Sequence, residues 1–155
     1  MKLSLRLLPL LVLLAASACN KEECFSGDKT IREYLATDNV GTATAYLFEN
    51  GDTSGMYYQI LSAGDTVTPT VSDTVVFTYE GTTTTPEQFD QSTTPLAFAL
   101  SDLIVGWQYG LPLIGQGGSI RMFIPANLGY GSNQAGDICP NTDLIFTVNL
   151  QEVRR

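Results

Sequence analysis

The chain of 155 residues contains no histidine. That single absence removes His-activated nucleophiles, His general acid–base catalysis and His-ligated zinc. Its three cysteines, Cys19, Cys24 and Cys139, form no zinc-binding pattern. No nucleophile–base pair and no Walker loop can be built from it. Gly115-Gln116-Gly117-Gly118 precedes a strand instead of opening a helix, so it is no dinucleotide fingerprint. What the second half offers is aromatic side chains at loop edges and element ends: Tyr79, Phe89, Phe98, Trp107, Tyr130 and Phe146. Any one of them alone reads as a core residue.

The elements that must position those rings are mostly strands. Thr is common, and charged residues are only 15% of the chain. The length suits one domain with a real core. Residues 28–37 carry a helical pattern with Ile31, Tyr34 and Leu35 on one face, and Asn39 and Gly41 supply a stop. Strand-like runs come next at 42–48 and 56–62, separated by the turn signal Glu49-Asn50-Gly51-Asp52. Residues 65–73 read as a loop, 74–79 as a strand, 81–87 as a turn or loop with four consecutive Thr, and 96–100 as a strand. Residues 103–113 read as a short helix and 119–124 as an alternating strand stopped by Pro125. A Gly-, Asn- and Pro-bearing loop spans 127–141. The last strand, 144–153, places Leu144, Phe146, Val148 and Leu150 on one face. There is no internal repeat and no linker between two cores. The predicted class is α+β, an antiparallel sheet with one short helix packed on it and a helical N-terminal extension.

Residues 1–19 read as an address. Lys2 and Arg6 form a basic start, residues 7–16 an apolar run broken by Pro9, and Ala16-Ser17-Ala18 places small residues before Cys19. This is the pattern of a secretory signal peptide, too short to span a bilayer comfortably. A cysteine directly after small residues resembles a bacterial lipobox, although Ala16 stands where a large aliphatic residue is usual. The resemblance implies removal of residues 1–18, lipidation of Cys19 and anchoring at the cell envelope, on the periplasmic or surface side of a bacterial membrane. Each buried methylene of such an anchor contributes ~0.8 kcal/mol. Residues 19–27 then read as a tether, 28–73 as an extension with the first strands, and 74–155 as the core. Cys24 and Cys139 remain as an even pair in an oxidising compartment. They can be joined or both stay free, since nothing in the sequence fixes their distance. Without Lys2 and Arg6, 6 of the 8 basic residues face 16 acidic ones, a net charge of −10. Such a surface repels phosphate backbones, so nucleic acid is not an expected partner.

The aromatic positions fall inside a series of short motifs. Val75-Val76-Phe77-Thr78-Tyr79-Glu80-Gly81 is a strand ending in Tyr-x-Gly, and Phe89-Asp90 a Phe-Asp pair. Leu103-Ile104-Val105-Gly106-Trp107 is an apolar pair followed by Gly-Trp. Leu128-Gly129-Tyr130-Gly131 opens a long loop that Ile138-Cys139-Pro140 closes, and Asp143-Leu144-Ile145-Phe146 starts the last strand. In this order and at these separations, residues 74–153 resemble the FKBP-type peptidyl-prolyl cis-trans isomerases. Each motif alone is weak; the series is specific. The resemblance implies a twisted antiparallel sheet wrapped around the short helix, with a hydrophobic pocket between helix and sheet. Trp107 would form the floor, and Tyr79, Phe89, Phe98 and Phe146 the walls. Leu103 and Ile104 would form one edge, Tyr130 and Ile138 another. In the family the backbone N–H at the Ile104 position and the hydroxyl at the Tyr130 position hydrogen-bond a ligand, and Asp90 adds a polar contact. Proline-containing polypeptides are the implied substrates and macrolides implied ligands, with no cofactor.

The reaction suits those residue types. Rotation about a peptide bond costs ~18–20 kcal/mol because planarity is resonance-stabilised, and X–Pro bonds exchange over tens to hundreds of seconds. No bond need break; the site must only bind the twisted amide better than the planar, more polar one. A dry aromatic pocket disfavours the planar form, and a few fixed donors hold the carbonyl region. Each tenfold acceleration needs ~1.4 kcal/mol of such differential binding.

Three departures lie on the rim. Residues 91–94 make a shorter segment than usual, without the basic residue some members place there. Asp137 occupies an often aliphatic loop position, and Cys139 one where Pro is common. They bear on substrate preference and macrolide affinity more than on activity. Asp137 reads most simply as a solvated loop charge. Residues 56–60 resemble the strand preceding the core in exported members. The helix at 28–37 is expected to pack outside the sheet, and the extension is too short to mediate a dimer, so a monomer is expected. Alternative readings are a catalytically weak proline-peptide-binding or chaperone module, and a structural envelope lipoprotein. The retention of Tyr79, Phe89, Asp90, Ile104, Trp107, Tyr130 and Phe146 together speaks against the last.

Overall fold

The structure, a computed structural model, describes residues 24–38, 40–48, 51, 53–85 and 87–155. The leader, Cys19, Asn39 and most of the anticipated 49–52 turn lie outside the described residues. A period of two organises most of the chain. Six strands, β1 (Thr44–Leu47), β2 (Thr53–Ser62), β3 (Thr74–Thr83), β4 (Gln88–Ala99), β5 (Ser119–Ile124) and β6 (Leu144–Arg154), form one antiparallel sheet in the order β1-β2-β5-β6-β3-β4. On one face, alternate residues of the inner strands (Val75, Phe77, Ile120, Met122, Ile124, Leu144, Phe146, Val148 and Leu150) build the main core with Trp107 and Leu111. Burying each such side chain contributes roughly 1.5–3 kcal/mol. On the other face Phe123 and Ile145 meet the extension.

Two short helices cover the two faces. α1 (Ile31–Thr37) buries Ile31 against Phe123 and Ile145, with Tyr34 and Leu35 alongside. It starts later than residue 28 because Thr30 is its N-cap, in a capping box with Glu33. α2 (Val105–Gly110) runs into a 3₁₀ turn at Leu111–Leu113 and packs against β5. The approach is close: a Cβ on Gly106 would lie 2.5 Å from Ile124 Cγ2.

Several boundaries differ from the sequence expectation. β3 continues through Thr83 where a turn is predicted from residue 81, because Thr82 and Thr83 pair with Ile145 and Leu144. β4 begins at Gln88, not at 96. Its first half is polar and carries no strand signal, yet Asp90 and Gln91 pair with Gly81 and Glu80. As an edge strand it tolerates polar side chains and Pro95, near a shift of register between Ser92 and Leu96. β2 starts at Thr53 instead of 56, and it joins the same sheet as the core strands by pairing with β5.

The segment expected to be a tether up to residue 27 is docked from Cys24 onward. Phe25 forms a parallel bridge with Ile138, its N–H donates to the Asp137 carbonyl, and its own carbonyl accepts from Cys139 N–H. Cys24 and Cys139 are joined in a disulfide across a separation of 115 residues, Cα–Cα 5.1 Å.

Candidate functional site

β3 supplies one wall. Its alternation turns Val75, Phe77, Tyr79 and Gly81 toward α2. Gly81 pairs with Asp90 on one side and Phe146 on the other. A Cβ there would lie 2.7 Å from Phe89 Cζ and 2.9 Å from Phe146 Cε1, so the glycine makes room for two rings. The α2 side is pinned from below. Ile104 is the N-cap, its carbonyl accepting the N–H groups of Trp107 and Gln108. Gln108 Nε2 donates to the Ser101 and Leu103 carbonyls at 3.2 and 2.8 Å, holding the turn that presents Leu103 and Ile104.

Trp107 is 4% exposed and sits in a box of rings. Its centroid lies 4.8 Å from Phe77, 5.2 Å from Phe146 and 5.7 Å from Tyr79, at interplanar angles of 64°, 78° and 79°. Phe89 meets Phe146 edge-on at 5.6 Å. Edge-to-face pairs of this kind contribute ~0.5–1.5 kcal/mol beyond area burial. The box therefore holds its shape without a ligand. Phe98 and Tyr130 stay 46% and 37% exposed, which places them at the mouth.

All ten positions singled out from the sequence (Tyr79, Phe89, Asp90, Phe98, Leu103, Ile104, Trp107, Tyr130, Ile138 and Phe146) line one cavity of about 650 Å³, within the ~300–1,000 Å³ usual for small-ligand sites. Phe77, Leu96, Asp102, Ala135, Gly136 and Asp137 line it too. Phe77 was legible: it stands two residues before Tyr79 on the same strand face. The polar groups are few. Tyr79 donates its hydroxyl to the Asp90 carboxylate. Burial first, then that hydrogen bond and the charge of Asp90, hold the Tyr79 phenol well above the ordinary range. Burial and then the Asp90 charge raise Tyr130 as well. Both are therefore neutral hydroxyls at physiological pH. The Nε1–H of Trp107 is buried with no protein acceptor. Among the described residues, no group of three or more His, Cys, Asp or Glu could hold a metal.

This geometry, a preformed aromatic box with neutral hydroxyls at its edge, can enclose and orient a small apolar group. The family profile for FKBP-type peptidyl-prolyl cis-trans isomerase matches residues 65–151. The chain belongs to that family. It is 42% identical over 104 residues to the FKBP-type isomerase FkpA of Escherichia coli, covering 65% of this chain and 38% of that protein. It is 38% identical over 106 residues to the outer membrane protein MIP of Legionella longbeachae, covering 66% and 46%. The chain thus spans less than half the length of these curated relatives. Among solved structures, the E. coli FkpA crystal structure superposes with a TM-score of 0.68 at 36% identity, over 79% of this chain and 57% of that one. A peptidyl-prolyl cis-trans isomerase from Pseudomonas syringae pv. tomato gives 0.68 at 30% identity, over 80% and 90%. The FKBP fold of one antiparallel sheet closed by a short helix is the one seen here.

Proposed function

We propose that this chain is a peptidyl-prolyl cis-trans isomerase that assists the folding of exported proteins, with the Trp107 cavity as its active site. The observation that carries the reading is the ring box itself. Phe77, Tyr79, Trp107 and Phe146 brace one another, so the cavity is already shaped for a prolyl ring.

In this reading the prolyl ring rests on Trp107, between Tyr79, Phe89, Phe98 and Phe146. The Ile104 N–H and the Tyr130 hydroxyl hold the carbonyls on either side of the twisting bond. Asp90 positions Tyr79 by accepting its hydroxyl. Water is excluded where the amide loses its planarity, so the polar planar form loses hydration that the twisted form needs less. Catalysis is then differential binding with no covalent step.

The same reading places the chain at the cell envelope as a monomer, anchored through lipidated Cys19. The Cys24–Cys139 disulfide supports it, since such bonds persist in oxidising compartments. Among the described residues no helix is long and apolar enough to cross a membrane.

The test is acceleration of cis-trans exchange in a short X–Pro peptide by the full chain in detergent, beside Tyr130→Phe and Trp107→Ala variants. Acceleration that falls in both variants is the expected result. No acceleration across several X residues, by protein shown to be folded, would leave a proline-peptide-binding module as the better account. Loss of binding of a macrolide in the Trp107→Ala variant alone would locate its site in the same cavity.

A further inference from the structure

The charged lining of the cavity has one sign. Asp90, Asp102 and Asp137 line it, and no Lys or Arg does. They come from three separate elements: β4, the 3₁₀ turn ahead of α2, and the loop between β5 and β6. Among the described residues the ion pairs are Lys29–Asp38 and Arg154–Glu152, both elsewhere. Among the described residues the three carboxylates therefore reach the cavity without a cationic partner. Asp90 is engaged by Tyr79, and its charge extends to Tyr130 across the mouth.

The backbone that carries Asp137 is held from two sides. It sits at the tip of a small hairpin in which Ala135 and Ile138 exchange both backbone hydrogen bonds, at 3.1 and 2.9 Å. Gly136 takes φ +54°, a conformation that side chains disfavour. From behind, Phe25 N–H donates to the Asp137 carbonyl, Phe25 bridges Ile138, and the Cys24–Cys139 disulfide locks the next residue. The Asp137 side chain itself stays exposed. A backbone fixed in place on a rim keeps the carboxylate it carries at the mouth, so less of the loop has to be ordered when a ligand arrives.

We propose that these carboxylates make the site select X–Pro segments carrying lysine or arginine beside the proline, with Asp137 as the specificity-determining residue. The inference rests on the isomerase reading of the cavity. An exposed ion pair typically changes affinity by a factor of up to about five, and a like charge works against binding by a similar factor. Lys-Pro peptides should therefore exceed Glu-Pro peptides about tenfold at low ionic strength. The ratio should collapse as the Debye length shrinks from roughly 30 Å at 0.01 M salt to 3 Å at 1 M.

The experiment uses the full chain in detergent with Ala-Xaa-Pro-Phe peptides, Xaa being Lys, Leu or Glu. Turnover is measured as kcat/KM. Binding is read from the fluorescence of Trp107, the one tryptophan of the chain. The expected order is Lys, Leu, Glu in both readouts. Asp137→Asn, which keeps the side-chain shape, should cut the Lys/Glu ratio about threefold, with Asp102→Asn as a second variant giving a smaller cut. Equal binding and turnover of Lys and Glu peptides would overturn the inference while leaving the isomerase reading intact. A ratio unchanged in Asp137→Asn would overturn the role of Asp137. A Lys preference in binding with no turnover of any peptide would sustain the selectivity and overturn the isomerase reading alone.

Discussion

Replacing both Cys24 and Cys139 by serine should lower the melting temperature by roughly 15–20 °C while leaving the sheet in place. The bond closes a loop across a separation of 115 residues. In the chain-entropy account, a loop of that order withholds about 4.7 kcal/mol of conformational entropy from the denatured state. Unfolding entropy near 60 °C is about 2.1 cal/mol/K per residue, so a unit of roughly 130 residues loses about 1 kcal/mol for each 3–4 °C. Detachment in the native state should stop at α1, because Ile31 is buried and its N–H donates to Asp143 Oδ2 at 3.0 Å. The same carboxylate accepts from Ala126 N–H at 2.9 Å, keeping the start of the pocket loop in place. The loosened part is therefore Cys24–Gly27 and the hairpin at Asp137. Circular dichroism melts of both proteins measure the shift, with peptide mapping to establish the bond in the parent. Amide exchange should quicken at Ile138 and Cys139, whose backbone faces Phe25, and not in β5 or β6. A parent with the bond confirmed and a variant melting within about 3 °C of it would refute the loop-closure reasoning.

Gly106→Ala should cost about 1–3 kcal/mol in urea denaturation, because the new Cβ meets Ile124 in a packed core. Gly110→Ala should cost less, since its nearest obstacle is the flexible Met122 side chain. Tyr79 keeps its proton in the fold beyond the 10.0 of a free phenol. Below that pH both states are protonated and its contribution is whole. As pH rises further the unfolded chain ionises first and stability falls. Denaturation midpoints between about pH 9 and 11 should decline, and the decline should flatten in Tyr79→Phe. Thr30→Ala removes the cap of α1 and should cost about 1 kcal/mol. The loss should appear as faster amide exchange in Glu33 and Tyr34, with the sheet unaffected.

Local period made much of this molecule readable. Alternation of Ile120, Met122 and Ile124, stopped by Pro125, marks β5 at its observed bounds, Ser119–Ile124. The run Leu144, Phe146, Val148, Leu150 lies in the main core, and Ile31, Tyr34 and Leu35 meet one face of the sheet. The first half of β4 was not readable. Its polar residues are held by β3 across the sheet, and an edge strand needs no apolar face of its own on the open side. Asp102 and Ala135 carry no local signal at all, since they reach the cavity only because the turn before α2 and the β5–β6 loop converge there.

The sequence by itself determined which face of most strands is apolar, because that depends on residues two apart in the same strand, and its ordered series of motifs, through the family resemblance they carry, singled out the rings that could line a cavity. Only the tertiary structure decided that Cys24 meets Cys139, that Asp137 is held on the rim, and that three carboxylates surround one box of rings. Those contacts arise from the strand order β1-β2-β5-β6-β3-β4 and from the loop that folds back between β5 and β6. Such proximity is set by packing across the whole sheet, which no local period encodes.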